Sequence, residues 1–197
     1  MSHNTWIHRL VRPMVEPLVE SPVTPDHVTT LRLIFGLSAS AACMAGGEAW
    51  TRIAGVLFLT SMLLDRADGT LARLSGRQSR FGHRYDLVCD AVSNALIFIG
   101  LGIGLRDSSL GGWSVLLGGL AGLAVGVILL MVVLAECQEG ERAAELPNLS
   151  GFDADDGMIV VPIAMLLGWA LPLLYLASSI TPLFALFFAW RYRRFFR

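Results

Sequence analysis

Apolar residues in this chain fall in long, nearly unbroken runs rather than in the alternating or one-faced patterns of a soluble domain. Six such runs, near 28–46, 52–74, 82–105, 112–135, 158–177 and 180–195, are separated by polar or turn-forming segments. A helix crossing roughly 30 Å of hydrocarbon needs about 20 mostly apolar residues. The pattern therefore predicts an all-α, polytopic integral membrane protein with six transmembrane helices, the last cut short by Arg191, Arg193 and Arg194. Ahead of the first run, the segment 5–19 mixes Trp6, Ile7, Leu10, Val11, Met14, Leu18 and Val19 with Arg9 and Arg12. That mixture predicts an interfacial amphipathic helix, although its two prolines also suit an ordered polar arm. The expected organisation is a juxtamembrane segment, 1–27, followed by one six-helix domain, 28–197. Charges and prolines interrupt the apolar residues of the first thirty positions, so no cleaved targeting segment is expected.

Composition sharpens this picture. Of 197 residues, 54% are hydrophobic and only 16% charged, where a soluble domain carries about a quarter. Fifteen cations against sixteen acids leave a net charge of −1, which gives no basic field for nucleic acid; the apolar composition makes membrane lipids the expected surroundings instead. Every cation is an arginine, so chemistry that needs a lysine amine is excluded. Cys43, Cys89 and Cys137 have no short pairing pattern and suggest neither a disulfide framework nor a zinc site. Six crossings would gather Arg9, Arg12, Arg73, Arg77, Arg80, Arg84, Arg142, Arg191, Arg193, Arg194 and Arg197 on one side and leave Arg52 and Arg106 on the other. Positive residues are kept in the cytoplasm, so both termini are expected there. Trp50, Trp113, Trp169 and Trp190 fit interfacial belts. Gly118, Gly122 and Gly126 mark a helix face for close packing, either within the monomer or between two copies.

The candidate chemistry lies in acids that a membrane span does not tolerate without a function. Asp65 and Asp68 close the second run, and Asp86 and Asp90 open the third. With a turn at 76–79 and a rise of about 1.5 Å per residue, the two pairs sit roughly 14 and 13 Å along their helices, so they meet at one level. Four carboxylates at one level need cations among them. Oxygen donors of this kind suit one or two hard divalent ions such as Mg²⁺ or Mn²⁺. Gly69, Ala72 and Gly82 leave room for a phosphorylated ligand to approach helix backbone. Arg73, Arg77, Arg80 and Arg84 form a cationic rim for phosphate oxygens, or serve only to fix topology.

Read in order, Asp65-x-x-Asp68-Gly69-x-x-Ala72-Arg73, eight residues, then Gly82-x-x-x-Asp86-x-x-x-Asp90 resembles the complete motif of the CDP-alcohol phosphatidyltransferases, with eight defined positions over 26 residues. The resemblance is close in the first half of the chain and extends over the second half only as a pattern of apolar runs. It implies a six-helix membrane enzyme, commonly homodimeric, that transfers a phosphatidyl group from CDP-diacylglycerol to a small alcohol and releases CMP. The expected location is a bacterial inner membrane, with the active site on the cytoplasmic side to which the arginines point. By the same resemblance Asp65, Asp68 and Asp86 are metal ligands, and Asp90 is the catalytic base and a possible ligand of a second ion. Gly69, Ala72 and Gly82 line the nucleotide pocket with Arg73 nearby. Thr24-Pro25-Asp26-His27-Val28-Thr29 is similar to a family segment before the first span, which makes Thr29 a nucleotide or phosphate contact; Asp26 replaces the usual Asn. Arg77, Arg80 and Arg84 are candidate phosphate or acceptor contacts.

Other features divide less clearly. The acidic 136–157 loop is either a solvated connection or an acceptor-selecting element. Intramembrane acids also occur in cation transporters, and metal-bound aspartates also serve intramembrane prenyltransferases. Against these stand the clustering of the acids at one face and their closeness in sequence. Glycerol 3-phosphate, inositol phosphate, inositol and serine all remain acceptors compatible with the motif.

Overall fold

The computed structural model describes residues 13, 15–139 and 154–191, and the described residues form helices and turns with no strand. The elements are α1 (Pro25–Ala45), α2 (Glu48–Leu74), α3 (Arg80–Gly104), α4 (Trp113–Glu139), α5 (Val160–Leu166) and α6 (Ala170–Arg191), with 3₁₀ turns at Glu16–Leu18 and Ala154–Ile159. By length and composition α1, α3, α4 and α6 are each able to cross a membrane. Helix α2 has 27 residues, about 40 Å at 1.5 Å per residue, but carries Asp65, Arg66, Asp68 and Arg73 towards its C-terminal end. Large apolar side chains such as Ile34, Leu116, Leu123, Leu183 and Leu186 stand exposed along these helices. That is the outward surface expected when lipid replaces water as solvent.

The helix starts are encoded locally. Thr24 caps α1 in a reciprocal box with His27, and Pro25 occupies the first turn, where no N–H is missed. Ser79 caps α3 by accepting from the Gly82 N–H at 2.9 Å. Two of the predicted runs are redrawn. The run 158–177 is not one helix, because α5 ends in a complete C-terminal capping motif: Gly168 takes φ +76°, its N–H reaches Met165 O, and the Trp169 N–H reaches Ala164 O at 2.8 Å. The chain then continues from Ala170 to Arg191 without the break expected near 178–179. Pro182 is accommodated inside α6, where the neighbouring Thr181 hydroxyl donates to Ala177 O at 2.9 Å.

Helix α1 is the hub of the bundle. It packs along both α2 and α3, whereas α2 and α3 barely touch each other. Helix α4 covers α3, α6 covers α4, and α5 lies on α2. Small residues make the α1 contacts possible. A Cβ on Gly104 would lie 2.0 Å from Cys43 O, and one on Gly36 would meet Ser93 Oγ at 2.5 Å and Ser61 Oγ at 3.3 Å. The glycines of α4 divide by face. Gly118 abuts Gly102 and Gly122 abuts Ala95, both inside the monomer, while Gly126 has nothing within 4 Å.

The predicted helix over 5–19 falls mostly outside the described residues. Its end is described: Val15 is buried and packs with Val28 and Leu71, alongside Leu18 and Val19. The larger part of the acidic 136–157 loop, with Glu141, Arg142, Glu145 and Asp153, also lies outside them, as do Arg193, Arg194 and Arg197.

Candidate active site

The four acids converge, but not as two faces of a packed hairpin. Because α1 stands between α2 and α3, the acids of those helices meet around α1 side chains. Carboxylate oxygens of Asp65, Asp68 and Asp86 lie within 4.8 Å of one another. Asp68 is buried, and its Oδ2 accepts from the Thr29 hydroxyl at 2.8 Å. Arg32, also on α1 and only 1% exposed, donates from Nη1 to Asp65 Oδ1 and, at 2.8 Å, to Asp86 Oδ1. Its Nη2 donates to the Asp86 carbonyl at 2.9 Å and lies 4.0 Å from Asp90 Oδ1. The Arg32 carbonyl in turn accepts from the Ser61 hydroxyl at 3.0 Å.

A cavity of about 130 Å³ opens on this cluster. Asp65, Asp68, Asp86, Asp90, Gly69 and Arg73 line it, together with Arg32, Arg66, Ser93 and Asn94. The remaining predicted residues, Thr29, Ala72, Gly82, Arg77, Arg80 and Arg84, are not among the described residues that line it. Thr29 is buried with its hydroxyl held by Asp68 and Pro25 O. Ala72 is half-buried one turn beyond Asp68. Gly82 sits where the starts of α1 and α3 meet, since a Cβ there would be 3.0 Å from Asp26 Oδ1. Arg77 is exposed and donates to Val23 O at 3.3 Å, which ties the α2–α3 turn to the segment before α1. Arg80 and Arg84 are exposed on the first turns of α3.

The donor chemistry fits a hard divalent ion. Oxygens bound to one Mg²⁺ at about 2.0–2.1 Å are at most about 4.2 Å apart, so the observed spacing needs only small side-chain rotations. Arg32 does not follow from the acid motif, yet its guanidinium contacts Asp65 and Asp86 and lies 4.0 Å from Asp90. Its signal was an arginine inside an apolar run, which is as costly as a buried acid. Ser93 and Asn94, one turn past Asp90, had no such signal, since serine and asparagine are ordinary in helix interfaces. The Ser93 hydroxyl is buried and has no hydrogen-bond partner among the described residues.

A family model for CDP-alcohol phosphatidyltransferase matches residues 22–191. The chain belongs to the CDP-alcohol phosphatidyltransferase family. Among its relatives, the phosphatidylinositol phosphate synthase of Mycobacteroides abscessus is 30% identical over 159 residues, which cover 78% of this chain and 64% of that protein. The archaetidylinositol phosphate synthase of Pyrococcus horikoshii is 32% identical over 82 residues, 42% of each chain. The matches thus span less than two thirds of the length of these relatives. Two crystal structures of the Mycobacterium tuberculosis phosphatidylinositol phosphate synthase share the fold at 22% identity. One, with CDP-DAG bound, has a TM-score of 0.67 and covers 92% of this chain and 94% of that one. The other, with manganese and citrate, has a TM-score of 0.63 and covers 91% and 88%. In this family member the eight motif positions lie along α2 and the first half of α3, on either side of the turn that joins them.

Proposed function

We propose that the protein transfers a phosphatidyl group from CDP-diacylglycerol to a small alcohol and releases CMP. The observation that carries this reading is the convergence of Asp65, Asp68 and Asp86, three carboxylates of a complete family motif, on one cavity that Asp90 also lines. Names of relatives support inositol phosphate as the first acceptor to test. The CDP-DAG-bound and manganese-bound neighbours support the donor and the metal.

Asp65, Asp68 and Asp86 would hold Mg²⁺ or Mn²⁺, with Asp90 a ligand of a second ion. Bound there, the ion supplies Lewis-acid stabilisation of charge on the phosphates. The chain's own residues do the rest. Asp90 lines the cavity and is about half exposed, so it can take the proton of the acceptor hydroxyl as that oxygen bonds to phosphorus and the bond to CMP breaks. Arg73 and Arg66 line the same cavity and would bind phosphate oxygens. Gly69 and Gly82 keep the approach to helix backbone open. Holding donor and hydroxyl in line supplies much of the remaining acceleration.

Six crossings are part of this reading. Its support is the direction of α5: Met158, just before it, lines the acid cavity, while Gly168, just after it, lies beside Glu48 at the far end of the bundle. The arginine distribution then faces the acid end to the cytoplasm of a bacterial inner membrane. The family resemblance suggests a homodimer.

The test is CMP release by purified protein given CDP-diacylglycerol, Mg²⁺ or Mn²⁺, and inositol phosphate, inositol, glycerol 3-phosphate or serine singly. Release that needs one alcohol and stops on chelation is expected. Silence across the panel, with no binding of the nucleotide lipid, would overturn the reading.

A further inference from the structure

Thr29 reaches only α2, but Arg32 touches acids on both α2 and α3, two helices with little contact of their own. Its Nη1 holds Asp65 Oδ1 and Asp86 Oδ1 together, and its Nη2 holds the Asp86 carbonyl. Asp65 and Asp86 are two of the three carboxylates whose oxygens are spaced for an ion. An ion binding there draws on carboxylates that the guanidinium now holds, and a full positive charge left in place would repel it. Arginine is always charged, so it yields by moving away and not by losing a proton.

We propose that the Arg32 guanidinium is an internal counter-cation for Asp65 and Asp86 that is exchanged for the divalent ion, and so sets the metal affinity of the site. This rests on the metal reading given above. Arg32 is a positioning residue here, with no contact to substrate invoked.

Two opposing effects follow from removing its charge. Losing a bridge between α2 and α3 loosens the acids and weakens ion binding; losing a competing cation strengthens it. The second effect dominates, because the helix spacing does not rest on the guanidinium alone. The Thr29–Asp68 hydrogen bond, the Ser61 bond to the Arg32 carbonyl and the Gly36 contact with Ser93 and Ser61 all hold α1 against its neighbours. The unoccupied Nε of Arg32, buried without a partner among the described residues, adds no further anchor.

The experiment is a Mn²⁺ titration of the purified full-length protein, followed by the electron paramagnetic resonance signal of free Mn²⁺, with melting temperatures taken with and without the ion. Wild type is compared with Arg32→Gln, which keeps a donor without charge, and Arg32→Lys, which keeps charge but has no second nitrogen for the Asp86 carbonyl. Arg32→Gln is expected to bind Mn²⁺ about tenfold more tightly, to melt lower without the ion, and to gain more from it than wild type does. Arg32→Lys should fall between. A merely structural arginine would give weaker binding on removal, and equal or weaker Mn²⁺ affinity in Arg32→Gln overturns the exchange. If Arg32→Gln can be recovered only with Mn²⁺ present, the proposal is supported. If it cannot be recovered at all, Arg32→Lys decides: binding tighter than wild type supports the exchange, and equal or weaker binding overturns it. No Mn²⁺ binding by wild type overturns the metal-site reading itself, and the exchange with it.

Discussion

At the scale of single residues, the site is a problem of burying charge. Asp68 is only 4% exposed and is held by a hydroxyl, while its neighbours share one guanidinium. Thr29 therefore acts on the site without facing the cavity. Thr29→Val keeps the shape but removes a donor from a buried carboxylate, which should cost about 1–3 kcal/mol in a melting experiment and weaken Mn²⁺ binding. An unchanged melting temperature and affinity would mean that Asp68 finds another donor. The acids themselves were legible in the sequence because carboxylates in apolar runs have few explanations other than function. Arg32 carried the same kind of signal, but the acid motif names positions on α2 and α3 alone, and nothing in its spacing tells that the first helix stands between them. Ser93 and Asn94 were illegible, since nothing in their type distinguishes a cavity wall from a helix contact.

At the scale of elements, the first four helices follow from length, apolar runs and caps. The start of α1 at Thr24-Pro25 and of α3 at Ser79 lie within a few residues of the predicted run edges. The fifth run misled because hydropathy cannot see a turn whose residues are apolar. Leu167, Gly168 and Trp169 all suit a membrane, and only the left-handed conformation of Gly168 ends α5. Pro182 was the more obvious breaker and is not one, since α6 continues through it. The pairing of elements was hidden for another reason. Glycines in α1 and α3 mark close approach, but sequence does not say to which partner. Gly104→Ala places a methyl against the Cys43 carbonyl, which is backbone and cannot yield, and should destabilise by about 1–3 kcal/mol. Gly126→Ala, which meets nothing, should leave the monomer's melting temperature unchanged or slightly raised. Equal losses in the two variants would contradict the packing described for α1 and α3.

At the scale of the whole molecule, function depends on where a wedge stands. Helix α1 packs on both acid-bearing helices, and its Thr29 and Arg32 reach their acids, so the site is assembled from three elements. The acids gather at one end of the bundle, with Arg77 and Arg80 at the same end and Arg52 and Arg106 at the other. If that end faces the cytoplasm, cysteine placed at Arg77 should react with a membrane-impermeant thiol reagent in inverted vesicles and resist it in right-side-out ones. Cysteine placed at Asp107 should do the opposite. The reverse pattern would reject the proposed orientation.

The central claim is that acids on two helices, joined through a third, form one metal-dependent centre for phosphatidyl transfer. It is tested most directly by comparing Asp65→Asn, Asp68→Asn, Asp86→Asn and Asp90→Asn with wild type for CMP release and for CDP-diacylglycerol binding. The account predicts that all four lose turnover by at least about 100-fold. It also predicts that only Asp90→Asn keeps donor binding close to wild type. Substantial CMP release by Asp86→Asn, or a loss of donor affinity in Asp90→Asn equal to that in Asp68→Asn, would contradict it.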